Sequence, residues 1–195
     1  MEANAASDGD LLRAHCAGDP TAFARLYDRY DRPCFRFIRR LLGGAHGEAA
    51  EDLHQETWIS VSNSAASFDP AKGSFATWLY TIARRKTFDH FRRQKIAVLA
   101  SAFDGIGEEA LKVPDPAPTP LEHVQSRERA QEIVAAVEAL PLEQRGTLIL
   151  FAGAELSLEE IAKVTNVAVE TAKSRLRYAR SKLRLSLAGE RPTHV

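Results

Sequence analysis

The chain has 195 residues, 45% of them hydrophobic and 27% charged, and its 26 basic and 26 acidic side chains cancel to a formal net charge of zero. This length is sufficient for one domain or two small ones, and the composition is that of an ordinary globular protein. The two cysteines fit no metal-ligand spacing or disulfide framework, no run of 18 apolar residues is present, and early charged residues argue against a signal peptide, so a cytoplasmic protein without membrane insertion is expected.

The first half of the chain repeats its apolar residues at the helical spacing of three and four. Pro33, which cannot continue a helix without losing a hydrogen bond, is expected to open a new helix that ends at Gly43. A polar loop, Ser64–Gly73, separates the last two helices of this half. The predicted helices cover Asp10–Cys16, Thr21–Tyr30, a segment from Pro33 to Leu42, Glu48–Asn63 and Ser74–Arg93.

A segment near the middle of the chain, 96–126, loses the helical pattern. Its stretch Val113–Pro120 contains four prolines, which favour an extended backbone. This segment is therefore predicted to be a flexible linker between two small helical domains, 1–95 and 127–195. No strand-like alternation of any length is present, so the fold class predicted for both domains is all-α.

The second half begins with two predicted helices, Arg127–Leu140 and Pro141–Phe151. A helix–turn–helix is predicted to follow them. Ser157 and Glu160 have the spacing of a reciprocal capping box at the start of its first helix. Asn166 lies in the short polar turn that follows, where its side chain tolerates a left-handed backbone.

The second helix of this pair is apolar on one side and cationic on the neighbouring side. Six cations and no acid occur between Lys173 and Arg184. Although a solvated helix could carry the same charges, a short helix, a tight turn and a long cationic helix together favour insertion into the major groove of DNA. The side chains expected to face DNA are Glu170, Thr171, Lys173, Ser174, Arg175, Arg177 and Arg180.

Three parts of the sequence resemble the conserved modules of bacterial RNA polymerase sigma factors. They are EDLHQETW at 51–58, FDPAKGSFATWLYTIARRKTFDHFRR at 68–93, and the series ALPLEQR, LSLEEIAKV and VETAKSRLRYARSKLR within 139–184. The short two-domain layout is similar to the extracytoplasmic-function (ECF) subfamily. The resemblance implies a non-catalytic specificity subunit without a cofactor, which binds the clamp helices and flap of core polymerase and is controlled by an anti-sigma factor.

The resemblance also implies roles for particular residues. Asp52, Gln55 and Glu56 would contact the polymerase clamp, while the loop and long helix around 68–93 would melt the promoter near −10 and hold unpaired bases. The second domain would bind the −35 element as duplex DNA. The residues assigned to −10 DNA are Phe68, Lys72, Trp78, Tyr80, Arg84, Arg85, Arg92 and Arg93.

Helical spacing divides the aromatic residues of the −10 element. Phe75 and Trp78 fall on the predicted buried face, whereas Tyr80 lies about 100° away from it and is expected to be the better base contact. Arg85 stands where the family commonly has an Asn, and a guanidinium, unlike that amide, accepts no hydrogen bond from a base. In the second domain Glu170, Ala172 and Tyr178 replace a common Gly, Val and Arg.

Other functions remain open from the residues alone. An ordinary helix–turn–helix regulator would bind duplex DNA without polymerase, and a protein-interaction module would use the basic helices to bind an acidic partner. The acidic face of the helix at 48–63 could be solvated surface. A metal site around His54 is disfavoured because Glu51 alone has the required spacing. No catalytic motif is present.

Overall fold

The structure, a computed structural model, describes residues 6–44, 47–103 and 121–188. Within these ranges the chain forms eight α-helices, a single 3₁₀ turn and no β-strand, which confirms the all-α prediction. The helices are α1 Asp8–Cys16, α2 Pro20–Leu42, α3 Gly47–Asn63, α4 Phe75–Phe103, α5 Leu121–Glu138, α6 Leu142–Gly153, α7 Leu158–Thr165 and α8 Val169–Ala188, with the 3₁₀ turn at Ala65–Ser67.

Helix α2 is continuous over 23 residues, with Pro33 inside it. The expectation that Pro33 opens a separate helix is therefore wrong. A proline in a helix interior typically costs about 3 kcal/mol because it removes one hydrogen bond. Here Leu26 on one side of it and Cys34 and Phe37 on the other are buried in the same core, so tertiary packing fixes both halves in one helix.

The helices on either side of the predicted linker are longer than expected. Helix α4 continues to Phe103 and α5 begins at Leu121, directly after the last proline of the run. The remaining part of the predicted linker, 104–120, lies outside the described residues. Helix ends were misplaced because the apolar periodicity fades before the first residue that breaks a helix.

Helices α1–α4, called here the N-terminal module, pack around α2. The other helices contribute Leu12, Leu53 and Leu79 to its core, all at most 3% exposed. Helices α5–α8, the C-terminal module, are built in the same way, with Leu150 and Ile161 fully buried. Burial of each such side chain contributes about 1.5–3 kcal/mol.

The two modules pack directly on each other, α6 against α2 and α7 against α4. One continuous apolar cluster runs through both and includes Ile149 and Leu150 of α6. The helices α2 and α6 approach closely at Gly146, where an added Cβ would lie 3.5 Å from Leu41 Cδ1. A methyl group would fit at this position at an ordinary contact distance, whereas a longer side chain would point at Leu41.

Polar contacts close the same interface at the C-terminal end of α2. Arg145 of α6 donates from Nη1 to the Leu41 carbonyl oxygen at 3.1 Å and from Nη2 to the Glu138 carbonyl oxygen at 2.6 Å. The Glu138 carboxylate in turn accepts a hydrogen bond from the Gly44 amide at 2.7 Å. Burial lowers the pKa of Arg145, although the nearby Glu138 opposes that shift. These bonds satisfy carbonyl and amide groups that a helix end otherwise leaves without partners.

Candidate nucleic-acid interface

The helix–turn–helix has the geometry that its sequence predicts. Ser157 Oγ accepts a hydrogen bond from the Glu160 amide at 3.2 Å, and Glu160 Oε2 accepts one from the Ser157 amide at 3.0 Å, so the capping box is confirmed. Asn166 adopts the left-handed conformation with φ 52° and ψ 52° and ends α7. Helix α8 then begins at Val169, which places the predicted recognition helix directly after the turn.

Helix α8 buries Ala172, Leu176 and Ala179 against the C-terminal module. Most of its cations are exposed, and the exposed residues of the predicted DNA set are Glu170, Thr171, Lys173, Arg177 and Arg180. Lys173 lies 3.6 Å from the Glu170 carboxylate, one turn earlier. A cationic face that starts at the helix N-terminus is the arrangement by which such helices contact phosphates and base edges.

Arg175 differs from the other cations of α8. Only 24% of its side chain is exposed, and its Nη1 lies 3.0 Å from Glu143 Oε2 of α6. The geometry is that of an ion pair rather than of an aligned hydrogen bond. In this arrangement Arg175 faces protein. The sequence pattern placed Arg175 among the residues expected to face DNA, and the position of Glu143 in the chain carries no signal for this pairing.

The predicted clamp residues Asp52, Gln55 and Glu56 are all exposed on one face of α3. Glu56 is 3.3 Å from Lys86 Nζ of α4. Ile59 lies on the same face, one turn beyond Glu56, and is 53% exposed. Its helical spacing from Asp52 could have placed it on this face from the sequence alone.

The loop before α4 forms a groove with the first turns of that helix. Phe68 and Trp78 are both partly buried, with ring centroids 5.4 Å apart, and Lys72 and Thr81 are among the other lining residues. Lys163 of α7 also borders this groove. Aromatic rings beside a cation are the elements that a single-stranded nucleic-acid site requires.

Tyr80 does not lie at this groove, and the expectation that it faces away from the core is wrong. The side chain is 2% exposed, and its ring packs edge-to-face on Phe37 with centroids 5.2 Å apart. Burial raises the pKa of its hydroxyl above the ordinary value. Helix α2 covers the side of α4 that a single helical projection assigned to solvent. Trp78, expected to be buried, is the more accessible of the two rings.

The predicted −10 cations of α4 have different environments. Arg84 is 15% exposed, donates from Nη2 to Glu143 Oε2 at 2.7 Å, and lies 4.0 Å from the Phe88 ring centroid. Arg92 is exposed and 2.9 Å from Asp89. Arg85 and Arg93 are exposed, Arg93 beside the clamp residues on α3. The structure therefore brings Arg84 and Arg175 together on Glu143 but leaves the other predicted DNA contacts on separate surfaces.

Histidine and acidic residues do not gather into a metal site in the part of the chain that the structure describes. His54 instead accepts a hydrogen bond at Nε2 from the Trp58 indole at 3.0 Å and lies 3.3 Å from Asp31. Burial lowers the pKa of His54, and Asp31 partly opposes the shift. None of the described helices is long and apolar enough to cross a membrane.

Comparisons with known proteins agree with this geometry. Residues 26–96 match the family description "Sigma-70 region 2" and residues 130–183 match "Sigma-70, region 4". The chain is 34% identical over 174 residues to the ECF RNA polymerase sigma factor SigW of Bacillus subtilis, which covers 87% of this chain and 91% of that protein. It is 31% identical over 177 residues to the ECF RNA polymerase sigma factor SigM of Mycobacterium tuberculosis, covering 91% and 83%.

A solved structure shares the fold. The chain is similar to the sigma factor RpoE of Bartonella quintana, whose co-crystal structure contains the anti-sigma factor NepR, with a TM-score of 0.68 and 25% sequence identity. The similarity covers 87% of this chain and 98% of that one. The two matched regions lie one on each side of the residues that the structure leaves undescribed between α4 and α5.

Proposed function

Because the chain belongs to the ECF family of bacterial RNA polymerase sigma factors, we propose that it binds core polymerase and directs initiation at promoters chosen by their −10 and −35 elements. As a member of that family it is a specificity subunit and not an enzyme. The observation that carries the proposal is the order of the two sigma-70 regions, the second of which ends in a helix–turn–helix with exposed cations. Its place of action would be the cytoplasm, where polymerase is found.

The proposed division of labour follows two domains, 1–95 and 127–195, although helices α4 and α5 extend into the segment 96–126 between them. Asp52, Gln55 and Glu56 would bind the clamp helices, because exposed carboxylates in a row are complementary to cations on a partner. Ile59 is exposed on the same face and would add an apolar contact to such an interface. Contact of the C-terminal module with the polymerase flap is part of the same proposal.

The groove and the cations of α4 would bind −10 DNA. Phe68 and Trp78 would stack on unpaired bases, and Lys72 would lie beside the strand. Tyr80 no longer belongs to this set because it is buried. The cations proposed to contact the backbone are Arg84, Arg85, Arg92 and Arg93.

For −35 DNA the proposal assigns the exposed face of α8. Its N-terminal residues would reach base edges and its later cations would contact phosphates. Arg175 would contribute once its pairing with Glu143 is broken. The residues assigned are Glu170, Thr171, Lys173, Ser174, Arg175, Arg177 and Arg180.

Control by an anti-sigma factor is the remaining part of the proposal. The similar RpoE is bound by the anti-sigma factor NepR in its crystal structure, and the shared fold supports an equivalent partner here. Such a partner would act by covering surfaces that core polymerase needs. Co-purification from the native cell would identify it.

Run-off transcription with purified core polymerase tests the proposed function. Added chain should create start sites that core polymerase alone does not use. Arg177→Gln should lower the yield from those promoters, whereas Lys182→Gln, which removes the same charge from another exposed position of α8, should have a smaller effect. Duplex binding without any new start site would instead support a helix–turn–helix regulator that acts without polymerase.

A further inference from the structure

Arg180 of the recognition helix lies over an aromatic ring of a different helix. Its guanidinium carbon is 4.7 Å from the centroid of the Phe151 ring, near the end of α6. Phe151 is partly buried and packs against the core cluster, so the C-terminal module holds the ring in place. This separation is within the distance of about 6 Å over which the face of an aromatic ring attracts a cation. The contact therefore joins one cation of α8 to the helix that supports α8.

Helix α6 also contacts a second arginine of α8, but with a different kind of group. Arg175 is only 24% exposed and lies 3.0 Å from the Glu143 carboxylate, which compensates its charge. Arg180 is exposed and, within the part of the chain that the structure describes, forms no ion pair. An aromatic ring attracts a cation without neutralising it. Arg180 therefore keeps the charge that a contact with phosphate requires.

The shape of the guanidinium group allows it to contact the ring and a phosphate at the same time. The group is planar, and stacking uses its flat face, whereas its N–H groups point outward in the plane of the group. Two of these N–H groups can donate to one phosphate in parallel. A long side chain that moves freely in solvent must be ordered when DNA binds, which lowers affinity. An arginine that a ring already orients loses less freedom on binding.

Arg177 provides a comparison within the same helix. It is exposed and belongs to the same set of residues expected to face DNA. Its aromatic neighbour is Tyr178, the next residue of α8, whose ring centroid is 5.3 Å from the Arg177 guanidinium carbon. The orientation of Arg177 is therefore set within α8 itself, whereas that of Arg180 depends on a residue of α6.

We propose that Phe151 is a positioning residue for DNA binding, whose ring holds the Arg180 guanidinium in an orientation from which it binds a phosphate of duplex DNA. This inference rests on the proposed function for the contact of Arg180 with DNA. Phe151 lies in α6, outside the helix–turn–helix formed by α7 and α8. Because the ligand is the sugar–phosphate backbone, the contribution of Phe151 does not depend on base sequence.

The test is a double-substitution cycle on the full chain, with binding to a dye-labelled, random-sequence DNA duplex measured by fluorescence anisotropy. Phe151→Leu removes the ring and keeps an apolar side chain against the core, and Phe151→Met is a second variant with the same purpose. Each substitution is made in the parent chain, in Arg180→Gln and, as the matched control, in Arg177→Gln. Circular dichroism confirms that each variant keeps its helices.

Loss of the ring should weaken duplex binding about two- to tenfold in the parent chain and by the same factor in Arg177→Gln, but should have little effect in Arg180→Gln. Arg180→Gln itself should lower the slope of log affinity against log salt concentration by about one, the change expected for one phosphate contact. In the free parent chain, the ring current of Phe151 should shift the side-chain proton resonances of Arg180 upfield. This shift should disappear in Phe151→Leu.

An equal loss of affinity in the Arg180→Gln chain would show that Phe151 supports α8 as a whole, and this result would overturn the inference. Unchanged duplex binding in folded variants, or the absence of the ring-current shift, would overturn it as well. Failure of the parent chain to direct run-off transcription would instead count against the proposed function. The cycle on random-sequence duplex would still decide the role of Phe151, because it requires no polymerase.

Discussion

His54 faces a donor and an acceptor with a single nitrogen. Its Nε2 accepts from the Trp58 indole at 3.0 Å and is 3.3 Å from a carboxylate oxygen of Asp31. The neutral ring can accept from the indole, whereas the protonated ring would have to give up that bond and pair with Asp31. Burial, the larger effect, lowers the pKa of His54 and so favours the neutral ring in the folded chain.

Stability should therefore fall in acid in a way that depends on His54. The pKa of His54 is lower in the folded chain than in the unfolded chain. The unfolded chain therefore binds the proton first as the pH falls below about 6.5. We expect the free energy of unfolding to decrease between about pH 7 and pH 5, and His54→Gln to lose less over that range. Chemical denaturation at both pH values measures this. An identical loss in the variant would show that His54 does not titrate in this way.

Tyr80 and Trp78 should respond differently to truncation. Tyr80→Ala removes a ring from the core and should lower the free energy of unfolding by about 3–5 kcal/mol, whereas Tyr80→Phe keeps the contact with Phe37. Trp78→Ala should be less destabilising but should weaken single-strand binding by about 1–3 kcal/mol. Denaturation and anisotropy on single-stranded DNA separate the two effects. The assignment fails if Trp78→Ala leaves single-strand binding unchanged.

The turn between α7 and α8 fixes where the recognition helix starts. The capping box fixes the N-terminal end of α7 and Asn166 ends the helix at its C-terminus, so the direction of α8 depends on a few local contacts. The amide of Val167 also donates a hydrogen bond to the Ala162 carbonyl oxygen at 3.0 Å. These bonds give helix α7, only eight residues long, a defined start and end.

Substitution of Asn166 tests this turn. Asn166→Ala should destabilise the chain by about 1–2 kcal/mol, because a side chain with a Cβ strains the left-handed conformation unless it can form local hydrogen bonds. Asn166→Gly should be close to neutral, since glycine adopts φ 52° without strain. Thermal unfolding of the three chains provides the measurement. An equal loss of stability in the alanine and glycine variants would indicate that Asn166 stabilises the turn through its side chain and not through its backbone conformation.

Sequence reasoning was most successful where the determinants are local. The capping box, the asparagine turn and the cationic face of α8 are each set by residues within a few positions of one another, and the helical patterns indicated the all-α fold. Reasoning failed at Pro33 and Tyr80 because the deciding contacts come from helices distant in sequence. The pairing of Glu143 with Arg84, 59 residues away, has no local signal at all.

The contact between α2 and α6 joins the N-terminal module to the C-terminal module. Gly146 sets the distance between these helices, because any larger side chain there points at Leu41. Ile149, one turn further along α6, belongs to the same buried cluster. The packing of the two modules on each other therefore depends on the fit between α2 and α6 as well as on the ion pairs of Glu143.

A large side chain at position 146 should separate the two modules. Gly146→Ala places its Cβ at an ordinary contact distance of 3.5 Å and removes a helix-destabilising glycine, so it should leave the closed form intact or stabilise it. Gly146→Leu should force α6 away from α2 and increase the radius of gyration in small-angle scattering, while circular dichroism confirms that helix content is kept. An unchanged radius in the leucine variant would mean that the interface can absorb the added volume.

The hydrogen bond from the Gly44 amide to Glu138 joins the end of α2 to the end of α5 at 2.7 Å. When the modules part, this amide loses a charged acceptor and meets water instead. The NMR resonance of this amide and its rate of hydrogen exchange therefore report opening at one backbone position, without a dye. A titration with core polymerase followed at Gly44 would report separation of the modules without any substitution in the chain.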